Sequence, residues 1–421
     1  MPTTWVISEL YYPEETSTGH FMTGIAEALA TVGDVAVICA QPTYSRRGLM
    51  APKAETRNGV RVLRCRSTRF DKNRWVLKIL NAITAALSLF VTALRSICSG
   101  DRVIVVTNPP LLPYLIAAAA RLRGVPYSLK VDDIYPEVLL AAGVLRPESL
   151  LVNVWHAASR RLYRGAERIF VLGRDMAALI AKESGGISRI KVITNWADNS
   201  EIAPLPKLLT RLAADHGLAD KFVVQCAGNL GPLQGLDCLL DAAGELASLP
   251  NVHFTILGSG REEKALRSRA AALNLRNVTF LGQRSRDEQS DFLNSCDLAI
   301  VSLARGMVGI SVPSRAYNTM AAGRPIIAVM EEGCEVAEMV REHQIGWVVP
   351  PGDEFRLAAA IREAERAPER LAEMGRRARL LAETLFSRRS VLQAYVLAIA
   401  PPSGGPPAEA VLSGVQPERL A

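Results

Sequence analysis

The sequence lacks the short signatures that assign a chemistry directly. It holds no G-x-G-x-x-G, no P-loop, no G-x-S-x-G and no H-E-x-x-H. Nothing therefore supports NAD or ATP use, a serine-hydrolase triad or a zinc site. Clustered cysteines are missing as well: Cys39, Cys65, Cys98, Cys226, Cys238, Cys296 and Cys334 stand far apart. That spacing excludes a metal knuckle or a redox pair and fits reduced core thiols of the cytosol. Histidine is scarce, and His156, His216, His253 and His343 are isolated and read as structural. Neither a metal nor a cofactor is expected. The opening MPTTWVISELYYPEE has no basic segment followed by an apolar run and a cleavage site, so a cytoplasmic chain is expected.

A full bilayer span is also missing, because ILNAITAALSLFVTAL reaches sixteen residues without a charge and a span needs roughly 20. A fully buried helix is the bland reading of residues 75–98. The approach to it is basic, however. Arg57, Arg61, Arg64, Arg66, Arg69, Lys72, Arg74 and Lys78 face only Glu55 and Asp71, a stretch expected to seek phosphates or acidic headgroups. Peripheral contact with the inner face of the cytoplasmic membrane is expected, through Arg69, Lys72, Arg74, Trp75, Lys78, Leu87 and Phe90.

What is present is a chain of 421 residues, 49% hydrophobic and 22% charged, with a formal net charge of +7. That is enough for two domains with a core each. Apolar, β-branched runs alternate with helical stretches: TTWVISE, VAVICA, DRVIVVTN, YSLKV, RIFVLG and KVITN, then KFVVQCAG, HFTILGSG, VTFLG, LAIVSL, PIIAV and GWVVP. The alternation predicts an α/β chain of two Rossmann-like, doubly wound domains facing across a cleft. The polar passage TNWADNSEIAPLPK separates them. The expected division is 1–198, 199–385, a C-terminal helix over 386–400 packing back on the first domain, and a Pro/Gly-rich flexible tail over 401–421. Nucleic acid is not an expected partner.

Ligands of such sheets bind beyond the strands' carboxyl ends, and four constellations lie there. CAGNLGPLQGLDCLLDAA places Gly228, Gly231 and Gly235 in a turn whose amides can meet phosphate oxygens, or which merely makes the turn. In GISVPSRAYNTMAAGRPIIAV, Ser311 or Ser314 can cap a helix that aims Arg315 at the cleft, where a guanidinium can fork a diphosphate; the alternative is a solvated charge. KVDDIYPE sets Asp132, Asp133 and Glu137 at a strand end, to orient sugar hydroxyls or accept a proton, or to cap the next turn. Ser17-Thr18-Gly19-His20 precedes a helix, with Gly19 suited to close approach and His20 catalytic or structural.

GNLGPLQGL and SVPSRAYNTMAAGRPIIAV, with LGSGRE, NVTFLGQ and GWVVPPGD, resemble the donor domain of glycosyltransferase family 4. YYPEETSTGHF, TNPPLLPYL, KVDDIYPEVLLAAGVL and VITNWAD resemble its branch that makes colanic acid, O-antigen and capsule repeat units. The resemblance spans about residues 5 to 385. It implies a GT-B fold, a retaining mechanism, no obligatory metal and a nucleoside diphosphate held by the C-terminal domain. It places Gly19, Gly228, Asn229, Gln234, Gly258, Ser311, Ser314, Arg315 and Asn318 around the donor, with Asp132, Asp133 and His20 as catalytic candidates. Much of the wider family carries Arg and Lys where this chain has Asn229 and Gln234, and glutamates where it has Ile310 and Asn318. Arg315, helped by Arg305 or Arg261, must then carry more of the diphosphate charge.

The expected activity is transfer of a sugar from a UDP-sugar, in preference to a GDP-sugar, to a polyprenyl-pyrophosphate-linked or oligosaccharide acceptor in bacterial surface polysaccharide biosynthesis. The alternatives are a UDP-sugar 2-epimerase of similar fold and a non-catalytic two-lobed sugar-binding protein.

Overall fold

The computed structural model describes residues 2–42, 50–68, 70 and 75–399. Arg69, Lys72, Arg74, the side chain of Trp75 and the tail 401–421 lie outside the described residues.

Valine- and isoleucine-rich runs buried on both faces form two largely parallel sheets, as expected where helices cover each side. The N-terminal strands are β1 Thr4–Ile7, β2 Val35–Ala40, β3 Ala54–Arg57, β4 Val60–Cys65, β5 Arg102–Val106, β6 Tyr127–Val131, β7 Ile169–Val171 and β8 Ile190–Val192. They are ordered β3-β4-β2-β1-β5-β6-β7-β8. The C-terminal strands are β9 Phe222–Ala227, β10 Val252–Leu257, β11 Val278–Gly282, β12 Leu298–Ser302, β13 Ile326–Val329 and β14 Gly346–Val349. Their order, β11-β10-β9-β12-β13-β14, is the 3-2-1-4-5-6 order of dinucleotide-binding folds, which reverses between β9 and β12.

The β3–β4 hairpin is absent from the strand runs read in the sequence. An Asn58-Gly59 turn joins β3 antiparallel to β4, a pairing that two-residue Asn-Gly turns favour. The hairpin also corrects the reading of the basic stretch. Arg64 is buried, with Nη2 2.5 Å from Glu55 Oε1; Arg57 Nε lies 3.3 Å from Glu27 and Arg61 Nη2 lies 3.2 Å from Asp34. Counting charge along the chain misses acids brought in by neighbouring elements, and these three cations are already paired.

The helix Trp75–Ser96 is neither fully buried nor free. Ala85, Ala86, Leu89 and Ala93 are buried against the N-terminal sheet, while Val76, Ile79, Leu80, Ile83, Leu87 and Val91 face outward. The helix extends past Lys78 and Arg95, which bound the sixteen-residue run, to 22 residues, and its segment Val76–Ser96 is long and apolar enough to cross a membrane by length and composition. Lys78 and Leu87 are exposed. Phe90, expected with them on a membrane face, is half-buried against the core, because its helical phase falls beside Leu89 and Ala93.

The chain crosses between domains twice at one place. Ala197 donates its N–H to Phe386 O at 2.8 Å, and the last helix, Arg388–Ile399, then returns to the N-terminal domain. There Val391, Tyr395 and Ile399 join the cluster of Phe170 and Trp196. A second apolar cluster runs through the interface: Val131, Ile134, Leu172 and Met176 of the first domain with Val301, Met307, Ile310 and Val312 of the second.

Candidate functional site

The carboxyl ends of both sheets face a cleft of about 560 Å³. Its C-terminal-domain wall begins where β9 and β10 end. Gly228 donates its N–H to Leu257 O at 2.9 Å, and Leu230 donates to Ser259 O at 3.0 Å, so the two loops are laced together. A Cβ at Gly258, whose φ is +129°, would stand 1.8 Å from Gly228 O. Only glycine permits that approach. Gly228, Asn229 and Gly258 line the cleft.

Arg315 opens the helix Arg315–Ala321 that follows β12. It donates to Gln234 Oε1 and, at 2.8 Å, to Ser302 O, while its buried Nε has no partner. Nη1 would lie 2.7 Å from a Cβ placed on Gly228. Among the described residues no carboxylate pairs with Arg315. Burial pulls its pKa below the ordinary value, opposed by Cys226. A buried cation without a counterion beside a glycine loop is a site for an anion. Gln234 does not line the cleft; it orients Arg315 instead.

Ser314 is the residue before the helix but makes no side-chain cap bond. Its Oγ faces Ser17 Oγ across the cleft at 3.2 Å. Ser311 lies away from the cleft, in an antiparallel bridge to Asp133. On the N-terminal side Thr16, Ser17 and Phe21 line the cleft. Gly19 does not; a Cβ there would meet Glu14 O at 2.7 Å, so its close approach is to its own chain.

Asp198 and Arg286 were not singled out in the sequence. Asp198 is buried and accepts from His20 Nε2 at 2.9 Å, Trp196 Nε1 at 3.0 Å, Asn318 Nδ2 at 3.2 Å and Arg286. Its own N–H donates to Asn318 Oδ1 at 3.0 Å. Burial pushes this carboxyl up, but His20, Arg286 and Asn318 outweigh it and hold the pKa below the usual range. The structure thus brings His20 and Asn318 together on a junction carboxylate, with both ends of the Asn318 amide engaged there. The signal for Asp198 was the quoted VITNWAD; for Arg286 it was the loop after VTFLG.

Asp132 pairs with the buried Lys130 and accepts from Thr18 Oγ1 at 3.4 Å. Burial pushes Asp133 up to about 6, with Asp132 adding to the rise and Ser311 and Lys130 opposing it. Of the auxiliary cations, Arg305 donates to Pro351 O at 3.2 Å and Arg261 is exposed. Neither lines the cleft, whereas Arg284 and Arg286 do.

Two family profiles match the chain, "Glycosyl transferase 4-like domain" over residues 18–196 and "Glycosyl transferases group 1" over residues 211–381. "Probable glycosyltransferase WbjE" of Pseudomonas aeruginosa is 34% identical over 295 residues, 70% of this chain and 74% of that one. WcaI of Escherichia coli (strain K12), named for colanic acid biosynthesis, is 24% identical over 401 residues, 92% and 97% of the two chains. In fold, the chain is similar to Anabaena HepE in complex with UDP, with a TM-score of 0.72 at 19% identity, covering 94% of this chain and 98% of HepE. It is also similar to WaaG, a glycosyltransferase involved in lipopolysaccharide biosynthesis, with a TM-score of 0.68 at 14% identity, covering 96% and 100%.

Proposed function

The chain belongs to the family 4 glycosyltransferases of the GT-B fold, and from that premise we propose that it moves a sugar from a UDP-sugar to a lipid-linked or oligosaccharide acceptor in surface polysaccharide biosynthesis. The observation that carries the donor reading is Arg315, buried beside Gly228 with no carboxylate partner. The leaving diphosphate gains negative charge as the glycosidic bond breaks. A preorganised cation and loop amides at that position stabilise the charge more in the transition state than in the ground state.

The acceptor oxygen attacks from the face that the diphosphate leaves, so the anomeric configuration is retained. The domains exclude water while this happens. Neither Asp132 nor Asp133 lines the cleft; Asp132, fixed by Lys130 and reached by Thr18 of the cleft-lining loop, is the carboxylate assigned to orienting acceptor hydroxyls. HepE, of the same fold and in complex with UDP, supports the UDP reading; WcaI, named for colanic acid biosynthesis, supports the surface-polysaccharide role. The outward apolar face of Trp75–Ser96 supports peripheral attachment to the inner face of the cytoplasmic membrane.

The test is incubation of the full chain and a bacterial lipid extract with a panel of labelled UDP- and GDP-sugars, with mass spectrometry and NMR of the product. Labelled lipid from a UDP-sugar, with the donor's anomeric configuration, is expected. Transfer from GDP-sugars alone would overturn the donor assignment, and an inverted linkage the mechanism. No transfer from any donor would overturn the lipid-linked reading.

A further inference from the structure

Two helices from opposite domains cap one another. The helix Arg174–Ser184 follows β7 in the first domain, and Glu335–Glu342 follows β13 in the second. Neither receives a side-chain cap from the residue before it, Gly173 or Cys334. The caps are exchanged instead. Asp175 Oδ2 accepts the N–H of Glu335 at 3.0 Å, and Glu335 Oε2 accepts the N–H of Arg174 at 2.5 Å. Amides of a first helical turn have no acceptor within the helix and favour a carboxylate, so each helix start supplies what the other needs. Arg174 closes the ring, with Nε 3.1 Å from Glu335 Oε2 and Nη1 2.7 Å from Glu342 Oε1.

The clasp reaches the donor site through one loop. Asp175 Oδ2 also accepts the N–H of Gly309 at 3.1 Å. The next residue, Ile310, accepts the N–H of Ile134 at 3.1 Å, and Ser311 bridges to Asp133. Three successive residues of the loop that ends in Ser314 and Arg315 are therefore held by the N-terminal domain. Met176 beneath the clasp shares an apolar cluster with Met307 and Ile310. Asp175, Glu335 and Gly309 do not line the cleft themselves.

We propose that Asp175 and Glu335 are positioning residues for glycosyl transfer: their reciprocal caps hold the domains closed and fix the 309–314 loop, so that Ser17 faces Ser314 over a donor held at Arg315. The kinetic arm of the test rests on the transfer reading above; the conformational arm does not.

The full-length double variant Asp175→Ala/Glu335→Ala is compared with the parent and with Asp175→Asn, which keeps an acceptor oxygen. Solution X-ray scattering reads domain opening, calorimetry reads UDP affinity, and donor turnover is measured with the lipid extract. The double variant should show a larger radius of gyration. Its UDP affinity should stay within about threefold of the parent, because the phosphate loop is intact, while turnover falls at least about tenfold at little-changed donor KM. Asp175→Asn should stay near the parent in all three. A double variant with the parent's scattering and turnover overturns the proposal.

Should the double variant lose its cooperative thermal transition, exposed Arg174 replaces it. Arg174→Glu, which sets a carboxylate against both Glu335 and Glu342, should open the protein, and Arg174→Lys, which keeps the cation, should stay near the parent's scattering. Unaltered scattering in Arg174→Glu overturns the proposal. If the parent itself neither binds UDP nor turns over any donor, the transfer reading fails while scattering still decides the clasp.

Discussion

His20 Nε2 lies 2.9 Å from Asp198 Oδ1, joining the helix Ser17–Leu29, which starts at Ser17 and not after His20, to the segment where the chain crosses between domains. The same carboxylate takes Arg286 and Asn318 from the C-terminal domain. Truncating one member of a buried, hydrogen-bonded charge group leaves the others desolvated and uncompensated. Asp198→Ala should cost about 3 kcal/mol, read as a lower urea midpoint.

The pH dependence of that contribution has a defined sign. The folded pKa of Asp198 is depressed, so the stabilisation is present above the unfolded carboxylate value and lost as pH falls through the folded one. Parent stability should therefore decline on acidification more steeply than that of Asp198→Asn, which removes the titrating group.

Asp133 behaves oppositely. Its folded pKa is raised to about 6, so the fold favours the protonated form, and ionisation weakens the fold as pH rises from the unfolded value through 6. Asp133→Asn should raise Tm above pH 6 and leave it nearly unchanged near pH 4. A calorimetric series across that range checks this.

Arg315→Lys tests geometry separately from charge. Lysine keeps a cation but not the fork that meets Gln234, Ser302 O and a diphosphate together. Turnover should fall by about 10²-fold in Arg315→Ala and by an intermediate factor in Arg315→Lys, with thermal unfolding little changed. Turnover equal to the parent's in both would remove Arg315 from the reaction.

Gly258→Ala places a methyl group 1.8 Å from Gly228 O at a positive φ. The β9 and β10 loops must then part, costing more than about 1 kcal/mol and weakening UDP binding measured by calorimetry.

Ile83 and Leu87 face outward on the helix Trp75–Ser96. Each is worth roughly 1.5–3 kcal/mol if fully buried in a bilayer surface. Ile83→Glu/Leu87→Glu should lower cosedimentation with anionic phospholipid vesicles at least about tenfold, without affecting UDP affinity. Unchanged cosedimentation would remove this face from membrane contact.

The sequence by itself determined the two α/β domains, the strand runs from TTWVISE to GWVVP and the glycosyltransferase family, because periodicity and ordered motifs are carried by contiguous residues. It also pointed to the cleft neighbourhood of Gly228, Asn229, Gly258, Ser314 and Arg315, since loops after parallel strands converge there. Only tertiary structure decided the partners. Arg57 and Arg61 read as free charge until β3 and β4 brought them to Glu27 and Asp34. Asp198 meets His20 across 178 residues of chain, and Asp175 meets Glu335 across 160. A hydrogen bond over such separations depends on how two finished domains dock, and no local pattern of residues encodes that.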